Sequence, residues 1–117
     1  MKYRKTEVRV GEEKFESYLA DSFLKRFWGL SLKKKGKMLF VLPWDTKAGI
    51  DMMLLSRPLH LYFIDSEKKV VDIKKAEPWT WNPKTWRIYR PETRHRYLLE
   101  SFEKLDIQEG DKLGFEI

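Results

Sequence analysis

The first part of the chain begins with alternating polar and apolar positions and then changes period. Residues 3–10 and 12–19 alternate around Gly11, which predicts two strands joined by a tight turn into a β-hairpin. Residues 21–28 instead repeat aromatic and leucine side chains every four positions, which is the spacing of one helix face. Gly29 suits the left-handed position that ends a helix. We therefore expect one short helix of about two turns there.

The rest of the chain consists of short apolar or alternating segments separated by turn residues. The predicted strands are, in order, 38–42, 50–55, 59–64, 69–75, 86–90, 96–101 and 112–117. Pro43 is expected to end the first of these, so that 44–49 form a loop, and 102–107 are expected to form a turn of helix. About eight or nine short strands with one short helix are typical of a small closed or half-closed antiparallel β-barrel. At 117 residues, the chain is expected to form a single domain.

Composition excludes several chemistries. The sequence has no Cys, which excludes disulfides, thiol nucleophiles, iron–sulfur clusters and Cys-type zinc sites. His60 and His95 are the only imidazoles, so no site that needs several histidines can be built within one chain. We predict no metal and no cofactor.

The charge is positive and unevenly distributed. Lys and Arg total 24 against 18 Asp and Glu, for a net charge of +6, and the first 50 residues carry all of this excess. Such a field attracts polyanions, although it also serves as an ordinary solubilising surface. The charged N-terminus does not resemble a signal peptide, and no segment approaches the roughly 20 apolar residues that span a bilayer. We expect a cytoplasmic protein with no membrane partner.

The low number of Asn and Gln residues is typical of proteins from hot environments. Asn82 is the only Asn and Gln108 the only Gln, and charged residues make up 36% of the chain. Few thermolabile amides together with many charges are typical of hyperthermophiles. We predict a thermophilic source, in the archaea, and many of the charges then serve heat stability.

Several segments, taken in order, resemble one known family. They are Arg26-Phe27-Trp28-Gly29-Leu30, Met38-Leu39-Phe40-Val41-Leu42, Met52 followed by Pro58-Leu59 and Phe63-Ile64-Asp65, Val70-Val71-Asp72-Ile73, Tyr97-Leu98-Leu99-Glu100 and Gly110-Asp111-Lys112-Leu113. Over residues 20–117 their order and spacing resemble the family called domain of unknown function 192. The resemblance implies a small, mainly β, barrel-like domain and no established activity.

Two positions depart from that family's pattern. Where the family has a Phe-Trp-Met-Lys-Asn-Thr stretch, this chain has 50–55, and the polar trio is replaced by apolar residues. Where the family has Asp after Pro-Leu, this chain has His60. A site built from those polar groups in relatives would be altered or absent here.

The segment 79–96 is the first candidate site because it interleaves aromatic rings with cations. Its aromatic residues are Trp79, Trp81, Trp86 and Tyr89, its basic residues are Lys84, Arg87, Arg90, Arg94 and Arg96, and its one acid is Glu92. Bases of single-stranded nucleic acid stack on such rings, and their phosphates attract arginine. A sugar would also pack against exposed Trp faces.

The same residues have a purely structural interpretation. The Trp rings would then wall the core, and the arginines would form ion pairs with the acidic segment 100–116, as heat-stable surfaces often do. The segment has no RNP, KH or zinc-finger signature that would favour nucleic acid. The sequence leaves both interpretations open.

Two further clusters contain residues with candidate chemistry. The run 33–37 is Lys-Lys-Lys-Gly-Lys, which lacks the glycines and the hydroxyl residue of a P-loop and is more typical of a solvated loop than of a phosphate site. His60 shares a strand face with Tyr62 and Ile64, opposite the face of Leu59, Leu61 and Phe63. Beside an Asp at a barrel mouth it could transfer protons, which makes Arg26, Trp44 and His60 candidate pocket residues.

The function we predict is a non-catalytic binding module for an anionic ligand or polyanion, of which nucleic acid is one instance. The ligand-binding candidates are Trp79, Trp81, Trp86, Arg87, Arg90, Arg94 and Arg96. An enzyme with His60 and a nearby Asp is one alternative. A protein–protein or homodimer contact through the Trp-rich segment is the other.

Overall fold

The computed structural model describes residues 4–20, 36–47, 50–51 and 57–117, with the side chains of 50 and 51 left out. Its strands are β1 (Arg4–Val10), β2 (Glu13–Ala20), β3 (Lys37–Thr46), β4 (Ile50–Asp51), β5 (Leu59–Ile64), β6 (Val70–Ala76), β7 (Ile88–Tyr89), β8 (His95–Ser101) and β9 (Leu113–Phe115). One 3₁₀ turn spans Pro83–Thr85. The mainly β prediction is confirmed, whereas the helix predicted at 21–28 lies outside the described residues. Within the described ranges, no helix is long and apolar enough to cross a membrane.

Seven strands form one sheet in the order β6-β5-β8-β3-β2-β1-β9, and β4 pairs with β7 alone. The seven-stranded sheet curls into a half-barrel. Its two outer strands approach each other at one end, where Val70 N donates to Asp111 O and Leu113 N donates to Lys68 O, each at 2.8 Å. A bridge between Lys69 and Lys112 completes this contact.

One pair in the sheet is parallel, in contrast to the all-antiparallel prediction. Tyr18 to Ala20 of β2 lie beside Met38 to Phe40 of β3 in parallel register. Two parallel neighbours need a crossover connection of a dozen or more residues. The 16 residues between Ala20 and Lys37 meet this requirement.

The N-terminal hairpin forms as predicted. β1 and β2 pair from Arg4↔Leu19 to Val10↔Glu13, which leaves a two-residue turn of Gly11 and Glu12. Gly11 has φ of +59°, a left-handed value that favours glycine at the first turn position.

The sheet buries apolar side chains on both of its faces. The inner cluster joins residues from both ends of the strand order, among them Val8, Leu39, Tyr62, Leu99 and Phe115. The outer cluster covers the central strands with Met38, Phe40, Leu59, Leu61, Phe63 and Leu98. The two faces predicted for 59–64 are therefore confirmed. A strand buried on both faces has a continuous apolar sequence, which explains the uninterrupted runs in β3 and β5.

The loop predicted at 44–49 is wrong at its start, because β3 continues past Pro43 to Thr46. The pairing with β8 shifts register between Val41 and Thr46. Proline lacks the N–H that a regular ladder needs, and a register irregularity removes that demand. The sequence pattern did not reveal the irregularity.

The helical turn predicted at 102–107 is also wrong. After β8 the chain runs without helix through these residues. Side chains take up its backbone groups instead: Ser101 Oγ donates to Glu103 O at 2.7 Å, and the Tyr62 hydroxyl accepts from Leu105 N at 2.8 Å. Tertiary contacts therefore replace the hydrogen bonds that a helix would have supplied.

Candidate functional site: the tryptophan loop

Residues 79–87, which we call the tryptophan loop, connect β6 to β7. The loop is fixed at its base, because Glu77 N donates to the Tyr89 hydroxyl at 3.0 Å. Tyr89 in turn pairs with Ile50 across the small β4–β7 sheet. The loop is therefore held where it leaves the core and where it returns.

A short 3₁₀ turn shapes the middle of the tryptophan loop. Asn82 Oδ1 accepts from Lys84 N at 3.0 Å, which caps the turn that begins at Pro83. Pro83 needs no N–H partner at this position. Across the loop, Thr80 N donates to Thr85 Oγ1 at 2.8 Å. The loop thus carries its own hydrogen-bond network.

This network also orients two of the three indole rings. Trp79 Nε1 donates to Arg87 O at 2.9 Å, and Trp86 Nε1 donates to Thr80 O at 2.8 Å. The two rings stack with centroids 6.0 Å apart and an interplanar angle of 26°. Both indole donors are bonded within the loop, so the rings are held in place and their faces are what they offer to a ligand.

The three rings differ in exposure. Trp79 is half-buried and packs against the outer apolar cluster. Trp86 is 54% exposed and Trp81 is 99% exposed. Only Trp79 thus fits the structural interpretation in which these residues wall the core.

Together the rings line a groove of about 550 Å³. Its lining residues are Trp79, Thr80, Trp81 and Trp86. The Thr80 hydroxyl shares a hydrogen bond of 3.2 Å with Thr85 and accepts from Asn82 N at 3.1 Å. The volume lies within the range of small-molecule clefts, and the walls are largely aromatic.

The cations nearest the groove in the chain are Lys84, Arg87 and Arg90, and all three are exposed. Among the described residues, no carboxylate lies within ion-pair distance of either arginine. The local acids face lysines of β6 instead: Glu77 lies 3.9 Å from Lys75 and Glu92 lies 4.0 Å from Lys74.

Arg94 and Arg96 lie on a different surface. Arg94 donates to Asp45 O at 3.4 Å, and Arg96 Nε donates to Leu42 O at 2.6 Å, both on the irregular part of β3. Trp44 stands between these two carbonyl groups in the sequence and is 67% exposed. Of the predicted ligand set, Arg94 and Arg96 thus bind β3, whereas Trp79, Trp81, Trp86 and Arg87 belong to the tryptophan loop. In the described part of the chain, none of these arginines pairs with a carboxylate of the acidic segment 100–116.

His60 lies far from Trp44, so the structure does not assemble the predicted pocket. Ser101 lies opposite both His60 and Lys37 across β8. Trp44 is seven residues beyond Lys37 along β3, which is roughly 20 Å in an extended strand. Arg26, the third candidate, lies outside the described residues.

The surroundings of His60 are mainly cationic. His60 is half-buried and lies opposite Lys75 on β6. Burial and the charges of Lys75 and Lys104 lower the pKa of His60, against a smaller opposing effect of Glu77. Asp72 pairs with Phe63, three positions further along the same two strands. The register therefore places that Asp away from His60.

Sequence reasoning missed the residues that shape the loop and anchor the segment beyond it. Thr80 and Thr85 bind each other across the loop, and Asp72 Oδ2 accepts from Glu92 N at 2.9 Å just beyond it. The dipeptide Asn82-Pro83 is a recognisable start signal for a helical turn and could have been found. The contact of Asp72 spans 20 residues and leaves no local signal.

The fold is shared with solved proteins. A crystal structure of a protein from Sinorhizobium meliloti, provisionally assigned as a transcription regulator, superposes with a TM-score of 0.83 at 22% identity and covers 98% of this chain and 96% of that one. A protein of unknown function from Novosphingobium aromaticivorans superposes with a TM-score of 0.77 at 20% identity, over 96% and 84% of the two chains. At these identities the likeness concerns the fold alone.

Sequence relatives identify the family. The UPF0127 protein TK1120 of Thermococcus kodakarensis is 36% identical over 105 residues, covering 83% of this chain and 62% of the relative. The UPF0127 protein PF1050 of Pyrococcus furiosus is 32% identical over 114 residues, covering 91% and 92%. The family model DUF192, described as an uncharacterized ACR, matches residues 6–115. The chain belongs to the DUF192 family, as its motifs had indicated.

The relatives also allow the length of this chain and its source organism to be compared with theirs. This chain spans 62% to 65% of the length of the Thermococcus relatives that it matches. These relatives and those from Pyrococcus are archaeal. An archaeal, thermophilic source for this chain agrees with them and stays a prediction.

Proposed function

We propose that this protein is a non-catalytic binding module that holds a polyanion at the tryptophan loop. The observation that carries the proposal is a groove lined by indole rings, followed in the chain by two exposed arginines, Arg87 and Arg90, that lack a carboxylate partner among the described residues. Exposed ring faces and exposed cations close together in the chain suit a ligand with negative charge and flat or apolar parts.

The charge arrangement supports a ligand and not merely a heat-stable surface. An ion-pair network would place carboxylates against the arginines. Here the two acids nearest in the chain, Glu77 and Glu92, lie by lysines of β6, and within the described ranges no other carboxylate reaches Arg87 or Arg90. An incoming phosphate or sulfate would therefore meet cations that no described carboxylate neutralises.

The experiment is a titration of intrinsic Trp fluorescence with heparin and with a 12-nucleotide oligo-dT, each at low and at high salt. We expect both polyanions to bind at low salt and to lose affinity as salt rises. For the oligonucleotide, two phosphate contacts give a slope of about −1.4 in log affinity against log salt concentration. Arg87→Gln should make this slope about 0.7 less negative.

Arg9→Gln is the matched control. Arg9 is an exposed arginine on β1 with Glu7 at 3.4 Å, so its removal changes the net charge equally at a surface remote from the loop in sequence. Equal effects of the two substitutions would show that only the overall charge attracts the ligand. Failure of both polyanions to bind at low salt would overturn the proposal.

A homodimer through the same loop is the second candidate. It is favoured by the exposed apolar surface of Trp81, Trp86 and Ile88, of which the last is 51% exposed on β7. Sedimentation at increasing protein concentration tests it. A constant monomer mass, or a dimer that persists in Trp81→Ala, would refute a contact through this loop.

A further inference from the structure

The groove presents ring faces while its side-chain polar atoms are largely bonded within the loop. The Nε1 groups of Trp79 and Trp86 and the hydroxyl of Thr80 all have partners inside the tryptophan loop. From this we infer that the polyanion is an unpaired nucleic-acid strand whose bases stack in the groove without preference for base identity. The inference rests on the function proposed above and specifies the ligand class and its selectivity.

The first step concerns the kind of polyanion. Polyphosphate has charge but no ring to place on an indole, and heparin offers only the C–H faces of its sugars. A nucleic-acid strand alternates phosphates with flat bases, and each base can stack on an indole. Trp81 and Trp86 expose their rings next to Arg87 in the chain, which matches this alternation.

The second step concerns the paired or unpaired state of the strand. In a duplex the bases stack on each other and show only their edges in the grooves. A ring that projects from a loop, as Trp81 does at 99% exposure, reaches a base face only when that base is unstacked. The groove of about 550 Å³ is also sized for a small flat ligand and not for a double helix.

The third step concerns selectivity. Discrimination between bases needs donors and acceptors aimed at base edges. Among the side chains that line the groove, Trp81 Nε1 is the one polar atom with no partner among the described residues. On a ring this exposed, a hydrogen bond to a base replaces one to water and changes the free energy of binding little. Stacking accepts every base, since every base has a π face.

The two threonine hydroxyls at the groove already have hydrogen-bond partners within the loop, so neither is free to recognise a ribose 2′-hydroxyl. The Thr80 and Thr85 hydroxyls hydrogen-bond to each other at 3.2 Å and also bind the loop backbone. RNA is distinguished from DNA by contacts to that hydroxyl. We therefore expect single-stranded RNA and DNA to bind with similar affinity.

The test compares 12-mers of dT, dC and rU with an abasic 12-mer that carries the same phosphates and no bases. Binding is followed by fluorescence at one low salt concentration. We expect the three base-bearing strands to agree within about threefold and the abasic strand to bind at least tenfold more weakly. Trp81→Ala should weaken the dT 12-mer by roughly 5- to 150-fold, the range for loss of one stacked base. Trp81→Phe, which keeps a ring, should restore much of the affinity.

Trp44→Ala is the matched control, because Trp44 is also exposed but lies on β3 outside the loop. It should leave the dT affinity unchanged. Equal binding of the dT and abasic strands would overturn the inference and leave the polyanion function standing. A preference above tenfold for one base or one sugar would overturn it in the same way. If neither heparin nor any 12-mer binds, the proposed function and this inference fall together.

Discussion

Asp72 offers a sharp test of how the segment behind the tryptophan loop is held. Asp72 as a residue is 5% exposed, and its Oδ2 accepts a hydrogen bond of 2.9 Å from Glu92 N. Oδ1 accepts from Ile73 N at 2.9 Å, and Lys74 Nζ lies 3.4 Å from Oδ2. Glu92 follows Arg90 by two residues, so this contact fixes the chain that returns from the loop to β8. Asp72→Ala removes all three interactions at once.

The magnitude follows from the burial and the charge of the acceptor. A hydrogen bond to an ionised group contributes about 1.5–3 kcal/mol, and a backbone N–H left without a partner adds to the loss. We expect Asp72→Ala to lower the free energy of unfolding by about 2–3 kcal/mol in total. The loss is no larger because water can reach the site from the Glu92 side and replace part of the lost hydrogen bonding. Asp72→Asn keeps one carbonyl oxygen and should cost about half as much.

Glu92→Ala is the control within the same contact. The Glu92 side chain is 81% exposed and lies 4.0 Å from Lys74, whereas its backbone N–H is the group that Asp72 binds. Removing the side chain keeps that N–H, and an exposed ion pair contributes little. We expect a change below about 0.5 kcal/mol.

Guanidinium chloride unfolding followed by Trp fluorescence measures all three variants. With a slope of about 3 kcal/mol/M, a loss of 2–3 kcal/mol lowers the midpoint by about 0.7–1 M. Asp72→Asn should fall between Asp72→Ala and the parent protein, and Glu92→Ala should lie within about 0.2 M of the parent. The reasoning is refuted if Asp72→Ala and Glu92→Ala shift the midpoint equally, or if Asp72→Ala shifts it by less than about 0.2 M.

Two further predictions concern buried groups. Tyr62→Phe removes the hydroxyl that accepts from Leu105 N at 2.8 Å in a residue that is 1% exposed, so we expect a loss of about 1–2 kcal/mol, seen as a lower Tm in calorimetry; an unchanged Tm would show that this hydroxyl does not hold the segment after β8. Burial lowers the pKa of His95, with smaller opposing effects from the Thr46 backbone and Asp45, so the unfolded chain binds a proton more readily than the folded one. Stability should therefore fall as the pH drops below about 6.5 and level off below the folded pKa. An NMR titration that gives His95 a pKa at or above 6.5 would contradict this.

The strands that were predicted well are those whose own pattern carries the signal. The 59–64 strand was assigned with both faces, because its side chains alternate between two apolar clusters. The N-terminal hairpin was assigned because Gly11 supplies the turn. The continuation of β3 through Pro43 was missed, since a register irregularity is a property of the pairing with β8 and not of β3 alone.

The candidate site stays a prediction, and its layout shows which features a sequence pattern contains and which it lacks. The sequence places the aromatic rings and the cations in one segment, 79–96, and in the structure Trp79, Trp81 and Trp86 line one groove. The sequence could not show that Arg94 and Arg96 bind β3 and not the tryptophan loop, because their partners Asp45 and Leu42 lie about fifty residues away in the chain. It also could not show which indole rings face solvent, because ring orientation depends on hydrogen bonds between loop residues.

The β class, the position of most strands, the family and the absence of thiol chemistry can all be inferred from the sequence alone. These properties follow from local periodicity, ordered short motifs and composition, all of which one chain segment carries alone. Only the folded structure reveals the strand order, the parallel β2–β3 pair, the course of residues 102–107 and the exposure of Trp81 and Trp86. Most of these features depend on contacts between residues far apart in the chain, such as Tyr62 with Leu105. The pattern of residues within one segment does not indicate which distant segment it will contact.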